Sequence, residues 1–410
     1  MKKTRLALAL TAATFASTPV LATNGDVLIG LGSQSRALGG TGTAAFFGSE
    51  NALTNPALLA KSQGSEFAIG GTIFKPNVKA EATTFGVASQ TSDNDLNIIP
   101  EVSLSTRLSD TLTFGLGIFG SAGMGVDYRD TNGLINGYSN LQIMKFVPSI
   151  AINQDNFGIG FAPVIQYGAL DINYRLDMDQ NGTTETNVGN GMSTDLGFGF
   201  NLGGYIDVTP ELTLAMAYQS AIDMKYKNQM SVASQPFVSM GVFSSPFGDS
   251  LEQPAEIKLG AAYEKGSMLY TFDYKNIKWS DAKGYKDFNW KDQNVFAVGA
   301  KYSGQGYWFG VGYNKADDPI DVLADTSPAN QGINFFNNHF FPGIVESHFT
   351  LGGGYNLTKT IALDGAVVYA PEVTKTVNTG FLSGQANPTA TSEKVTHSQV
   401  GYSISLRMNF

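Results

Sequence analysis

The sequence contains no cysteine in 410 residues, so neither a disulfide nor a thiolate metal site is available to it. Charge is also scarce, at 15% of residues, below the roughly 25% of ordinary soluble domains. What charge there is balances negative, at −9, which argues against nucleic acid or an anionic membrane surface as a partner. There are only three histidines, His339, His348 and His397, and none stands in a motif with a serine or carboxylate that reads as a catalytic triad. No stretch carries 18 consecutive apolar residues, so no transmembrane helix is expected. Glycine, by contrast, is abundant, at 47 residues.

The first 22 residues read as a secretory signal. Lys2, Lys3 and Arg5 make its basic region, Leu6 to Phe15 its apolar region, and Val20-Leu21-Ala22 its small-residue cleavage site. The apolar run of about ten residues is half the length a membrane anchor needs. Removing the three cations leaves 23 basic against 35 acidic residues.

Beyond the leader, segments of about ten residues recur with strict alternation. In the last, Val400, Tyr402, Ile404, Leu406, Met408 and Phe410 share one face, and Ser403, Ser405, Arg407 and Asn409 the other. Leu112, Phe114, Leu116 and Ile118 alternate with Thr113, Gly115 and Gly117 in the same way. Fourteen such segments are expected, at about 66–76, 98–108, 111–121, 141–153, 157–170, 193–207, 211–222, 254–264, 267–279, 293–303, 306–315, 346–357, 360–370 and 398–410. Short turns such as Ser109-Asp110 and Thr358-Lys359 alternate with long connections. Short turns at one rim, long loops at the other and an even strand count describe a 14-stranded antiparallel transmembrane β-barrel, an all-β fold of the outer membrane. Tyrosines cluster near strand ends, as interfacial girdles require.

The stretch from Asn24 to Lys61 has neither period. It is rich in glycine, with few long apolar side chains, and could not bury enough surface to fold alone. Its Ala22-Thr23-Asn24-Gly25, Ser35-Arg36-Ala37-Leu38-Gly39-Gly40-Thr41-Gly42 and Asn55-Pro56-Ala57 resemble the start of the FadL-type outer-membrane transporters (the FadL/TodX family). Gln253-Pro254-Ala255-Glu256-Ile257, Phe309 to Tyr313 with Asp317-Asp318-Pro319, and Phe341 to His348 resemble family segments too. The resemblance implies three divisions: a signal at 1–22, an N-terminal hatch inside the lumen at 23–64, and the barrel at 65–410. It implies passage of long-chain fatty acids or other hydrophobic small molecules, with hatch movement and sideways exit through the wall. Aromatic hydrocarbons are the cargo of some relatives, and a general diffusion porin is the rival reading. Outer-membrane lipid and lipopolysaccharide are the expected surroundings, the barrel is expected to be a monomer, and no cofactor, enzymatic activity or nucleic acid is expected.

Particular residues follow from that resemblance. The loop after the seventh strand carries Phe237, Val238, Met240, Val242, Phe243 and Phe247, too much apolar surface to lie bare, and reads as an outer groove or as self-packing. A fatty-acid carboxylate inside the lumen needs a cation; by resemblance the positions are Arg175 and Lys291. Gly120, Gly123 and Gly125 would let the third strand kink beside a lateral gap. Asn24, Gly25, Asn55, Pro56 and Ala57 mark the hatch, with the Asn55 end fixed and the Asn24 end able to move. Separately, Asp177, Asp179 and Asn181 place oxygens at alternate positions, as calcium loops do, but Val188 stands where a bidentate Glu belongs, so no metal is expected.

Overall fold

The computed structural model describes residues 23–83, 86–177 and 185–410. Fourteen antiparallel strands form the wall: β1 (Ser65–Ala82), β2 (Asn97–Arg107), β3 (Leu112–Asp127), β4 (Tyr138–Gln154), β5 (Phe157–Asp177), β6 (Ser193–Asp207), β7 (Leu212–Gln219), β8 (Glu256–Lys265), β9 (Met268–Ile277), β10 (Gln293–Ser303), β11 (Tyr307–Ala316), β12 (Ser347–Asn356), β13 (Ile361–Asn378) and β14 (Ser392–Asn409). Neighbours in sequence are neighbours in the sheet, and β14 returns to pair with β1 from Glu393↔Ala82 to Asn409↔Glu66. That pairing closes the barrel.

Alternation along each strand sorts side chains by solvent. Large apolar groups face out and stay exposed, among them Phe198, Phe349 and Ile404, while Ser103, Ser105, Ser149, Asn201, Ser403 and Ser405 are buried inside. This is the inverse of a water-soluble core and fits a wall surrounded by lipid. Turns at one rim are short, as at Gly266-Ser267.

Several strands run further than their alternation predicts. β1 continues to Ala82, β3 to Asp127, β5 to Asp177 and β13 to Asn378, while β14 begins at Ser392. In these extensions, such as Pro371 to Asn378, the apolar half of the pattern is lost while the hydrogen-bonded ladder continues. Two long connections contain helices that alternation could not signal: α1 (Met230–Ser239) and α2 (Pro328–Phe340). Ser327 caps α2 through Asn330 N, and Pro328 occupies the first turn, where no amide proton is needed.

Candidate functional site

Residues Asn24 to Lys61 pack against the inward face of the wall. Asn-Pro-Ala explains itself at this level. Asn55 Oδ1 accepts from Ala57 N at 3.1 Å and caps a 3₁₀ turn, Pro56–Lys61, whose first position is Pro56. Asn55 Nδ2 donates to Thr43 O at 2.7 Å and Gly204 O at 3.4 Å. The turn lies so close to β5 and β6 that a Cβ at Gly160 or Gly203 would collide with Ala57 or Asn55. Those two wall glycines are therefore sockets for the motif.

Further ties hold the rest of this half. Arg36 and Glu101 form a buried ion pair at 2.5 Å. Gly42 N and Thr43 N donate to Asp273 Oδ2, both at 2.9 Å. Ser49 N donates to Glu66 at 2.6 Å, and Lys61 Nζ meets Asp207 at 2.6 Å. Glu50 is buried beside Glu101 and Glu66 with Oε2 unpartnered. Burial first, and then those two carboxylates, push its carboxyl up to about 8.

The first residues are placed differently. In β3 the register shifts between Gly120 and Ala122. Pairing of β2 with β3 stops at Glu101↔Phe119, although β2 itself continues to Asn97 against β1. The wall is thus unpaired beside the outer half of β3. The chain's own N-terminal segment occupies that edge: Val27 pairs with Ala122, and Gly123 N donates to Asp26 O at 2.9 Å. Asp26 is buried, and its Oδ2 accepts from Tyr285 Oη and from Gln253 Nε2, the latter at 2.9 Å. Burial pushes the Asp26 carboxyl up to about 6, against the pull of those two hydrogen bonds and of Lys145. Gly25, at φ +69°, lies against the rings of Trp279 and Trp290, where a Cβ would stand 2.7 Å and 3.0 Å from them. Trp279, Tyr285 and Trp290 pack together with centroids 4.5–4.9 Å apart, Trp290 edge to face with the other two. Both side-chain atoms of Asn24 are buried without a partner.

Above these rings the outer loops close the mouth. Phe336, Phe340 and Phe341 are buried, and Asn337 takes Trp290 Nε1 at 2.9 Å while giving Nδ2 to Phe288 O at 2.7 Å. Of the groove candidates, Phe237 and Phe243 are buried against α2, Val238, Val242 and Phe247 are half-buried, and Met240 is exposed. Most of their apolar surface is therefore covered by the second aromatic loop. A cavity of about 100 Å³ remains on the outer side, lined by Phe237, Met240, Val242, Ile135, Leu176 and Phe335 and floored by Glu393.

The two cations expected in the lumen are elsewhere, and this corrects the sequence reading. Arg175 is exposed; in β5 the even-numbered residues Ile172 and Tyr174 are buried and the odd position turns outward. One residue of register moves a strand side chain to the other face, which is how the match by resemblance fails. Lys291 is exposed in the loop before β10, 3.6 Å from Asp321. Among the cations that do line the lumen, Lys145 on β4, Lys258 on β8 and Lys275 on β9 surround a cavity of about 60 Å³ beside Val27 to Leu31. Their signal was strand parity: each shares the inward face with a buried neighbour, as Lys145 does with Ile143 and Val147. Asp179 and Asn181 lie outside the described residues, and among the described residues no group of three His, Asp or Glu is arranged to hold a metal ion.

The family model described as "Outer membrane protein transport protein (OMPP1/FadL/TodX)" matches residues 9–321. Among solved structures, a Pseudomonas aeruginosa FadL homologue superposes with a TM-score of 0.69 at 15% identity, covering 94% of this chain and 100% of its own. The Pseudomonas putida toluene transporter TodX gives 0.67 at 18%, covering 93% and 99%. The Ralstonia pickettii toluene transporter TbuX gives 0.64 at 19%, covering 93% and 98%. Among curated protein sequences, none matches.

Proposed function

Because this chain belongs to the OMPP1/FadL/TodX family of outer-membrane transport proteins, we propose that its hydrophobic cargo leaves the lumen sideways past β3 when residues Asn24 to Leu28 withdraw. The protein is an outer-membrane transporter of hydrophobic compounds. One observation carries the route: the unpaired outer half of β3 is closed by Val27 and Asp26, residues that belong to the plug and not to the wall. A cargo that separates Gly25 from Trp279 and Trp290 removes the packing that holds this segment. It thereby reopens an edge whose hydrogen bonds were borrowed. The outer cavity by Phe237, Met240 and Val242 is the first resting place for the apolar part of the cargo. On this reading transport runs down a gradient.

Long-chain fatty acids are the primary reading, with the signal at 1–22, the hatch at 23–64 and the barrel at 65–410 as its parts. A second reading, a channel for monoaromatic hydrocarbons, is favoured by the outer cavity. Its size of about 100 Å³ approaches that of an engineered cavity of about 150 Å³ that takes benzene. The toluene transporters among the structural neighbours have that cargo. We assign no reaction to the protein. Two of its three histidines are tied to the fold, His339 against Glu393 at 2.6 Å and His397 on Pro342 O at 2.8 Å. The apolar outer wall suits a single barrel surrounded by outer-membrane lipid and lipopolysaccharide.

Trp308 lies away from Gly25, so a Trp308→Phe variant leaves Trp279 and Trp290 as the only fluorophores of that type. Titration with dodecanoate and, separately, toluene is expected to shift their emission as Gly25 leaves. Binding of either compound by equilibrium dialysis with no change in emission would remove hatch movement from the account. A steady, large ohmic conductance in planar bilayers without ligand would favour the diffusion porin instead.

A further inference from the structure

The chain carries a net charge of −9, yet one strip of its outer surface is basic. The strip lies where β14 closes on β1, on the faces that point away from the lumen. Parity fixes those faces. Along β1, Phe74, Val78 and Ala80 are buried, so Lys75 and Lys79 point outward; along β14, Glu393, Val395 and His397 are buried, so Lys394 and Thr396 point outward.

Short turns mark the periplasmic rim, so the long connection between β13 and β14, residues 379–391, lies on the outer side. Moving outward along this seam, the exposed side chains change character within one step. Tyr402, Ile73 and Ile98 form a rung of exposed apolar groups across three strands. The next rung joins Tyr369, Val400 and Lys75. Beyond it come Ser398 with Asn77, then Thr374, Thr396 and Lys79, then Lys394 with Glu81. A wall that passes from hydrocarbon into head groups has this profile, with tyrosine at the boundary. Lys75 stands on the boundary rung, where a lysine lays its stem along apolar surface and lifts its ammonium to the head groups.

Partners set two of these lysines apart from other cations of the outer rim. Arg129 is paired with Asp127 at 2.5 Å, Lys278 with Asp292 at 2.7 Å, and Lys315 with Glu346. Within the strip, Lys394 takes Glu81 at 2.8 Å. Lys75 and Lys79 make no hydrogen bond, and no ion pair within 4.0 Å, to a described residue. Glu372, exposed on β13, has β14 between it and β1. The spacing of the two lysines selects an occupant. Four residues of strand separate them, about 13 Å, and the polar groups of Asn77, Ser398 and Thr396 lie beside that interval. A phospholipid carries its phosphate at one depth and meets one lysine or the other. An acylated disaccharide with a phosphate at each end offers two anions, sugar hydroxyls between them, and acyl chains for the apolar rung.

We propose that the outward face of the β14–β1 seam is a docking surface for lipopolysaccharide, whose phosphates pair with Lys75 and Lys79 while its acyl chains lie on Ile73, Ile98 and Tyr402. At physiological ionic strength charges act over about 8 Å, so these lysines govern the strip and the net charge of the chain does not. The seam joins strands from the two ends of the barrel sequence, so a lipid resting on both strands also favours the closed barrel by mass action.

The test uses the full barrel in a non-ionic detergent and measures binding of radiolabelled bis-phosphorylated lipid A, with phosphatidylglycerol and inorganic phosphate as the other probes. The variants are K75Q/K79Q and K75R/K79R, with K225Q/K227Q on an exposed loop as a control of equal charge change. Lipid A affinity is expected to fall about tenfold or more in K75Q/K79Q, to stay within about threefold of wild type in K75R/K79R, and to be unchanged in the loop control. Phosphatidylglycerol is expected to bind wild type and every variant within about threefold, since it cannot span both lysines. Unchanged lipid A binding in K75Q/K79Q would overturn the proposal. Equal loss for lipid A and phosphatidylglycerol, or equal loss in the loop control, would reduce it to general attraction of anions and overturn it too. Millimolar inorganic phosphate is expected not to displace lipid A; displacement would assign the strip to a free anion and remove the glycolipid as its occupant. Because both side chains point away from the core, K75Q/K79Q is expected to keep the folded mobility of wild type on an unheated gel. Should it not, K75A and K79A singly, each expected to weaken lipid A more than phosphatidylglycerol, carry the same test.

Discussion

Between Gly32 and Lys61 the plug is tied to the barrel by a buried ion pair, by amides on wall carboxylates and by a capped turn set between two wall glycines. Between Asn24 and Leu28 it is held by one strand pairing to the wall, by the hydrogen bonds of Asp26, by aromatic rings against a glycine and by Leu28 packed on Phe74 and Ile99. The first set is numerous and mutually supporting, so breaking one tie leaves the others. The second set is short, includes buried polar atoms with no partner, and can be given up together. A segment drawn from the low-stability end of a fold is the one that can move without unfolding the rest. One plug thus joins a heavily tied part to a lightly tied one, and the difference lies in how many independent contacts each would have to lose.

Tethering breaks this comparison most directly, and the absence of cysteine makes it clean. A V27C/A122C pair joins cross-strand neighbours within disulfide reach and is expected to abolish uptake of a hydrophobic probe until reductant is added. An S49C/S103C pair, built where the two hydroxyls are 2.8 Å apart, lies in the heavily tied part and is expected to leave uptake unchanged. Equal inhibition by both tethers would mean the plug moves as a whole. Next in size, R36A leaves Glu101 buried without its cation. It is expected to destabilise the plug by about 3–5 kcal/mol, seen as lost hydrogen-exchange protection over 32–61 and as raised ion conductance. N55A removes the cap of the Pro56 turn and is expected to cost about 1 kcal/mol, lowering the unfolding midpoint without altering ligand affinity.

The smallest effect is pH-dependent. Glu50 holds its proton more tightly folded, at about 8, than unfolded, at about 4.5. The folded state therefore binds more protons between those values. Its contribution is complete below about 4.5 and is lost as pH rises through about 8. E50Q is expected to raise the melting temperature relative to wild type by on the order of 2 °C at pH 9, and by less at pH 5. A difference that grows on acidification would place Glu50 among ordinary ionised carboxylates.

Strand existence was legible because a barrel wall imposes period 2 wherever lipid touches one face, as in Val400 to Phe410. It stopped being legible where that boundary stopped, in the extensions Pro371 to Asn378 and Ser392 to His397. The aromatic loops announced themselves by composition, but composition could not say that Phe237 and Phe243 would be covered by α2. Arg175 shows the sharpest failure. Charge and approximate spacing matched, and a single residue of parity sent the side chain outward.

The sequence by itself determined a barrel of fourteen strands with a segment that needs a container, and Asn55-Pro56-Ala57 stood out as that segment's fixed end by resemblance and by its place shortly before the first strand. These are properties of neighbouring residues, read along one chain. Which cations meet in the lumen, and that Asp26 and Val27 would complete the edge β3 leaves open, was decided only in three dimensions. Lys145, Lys275 and Val27 come from β4, β9 and the plug. Their proximity depends on barrel closure and strand register, quantities set by all fourteen pairings together and by no local pattern.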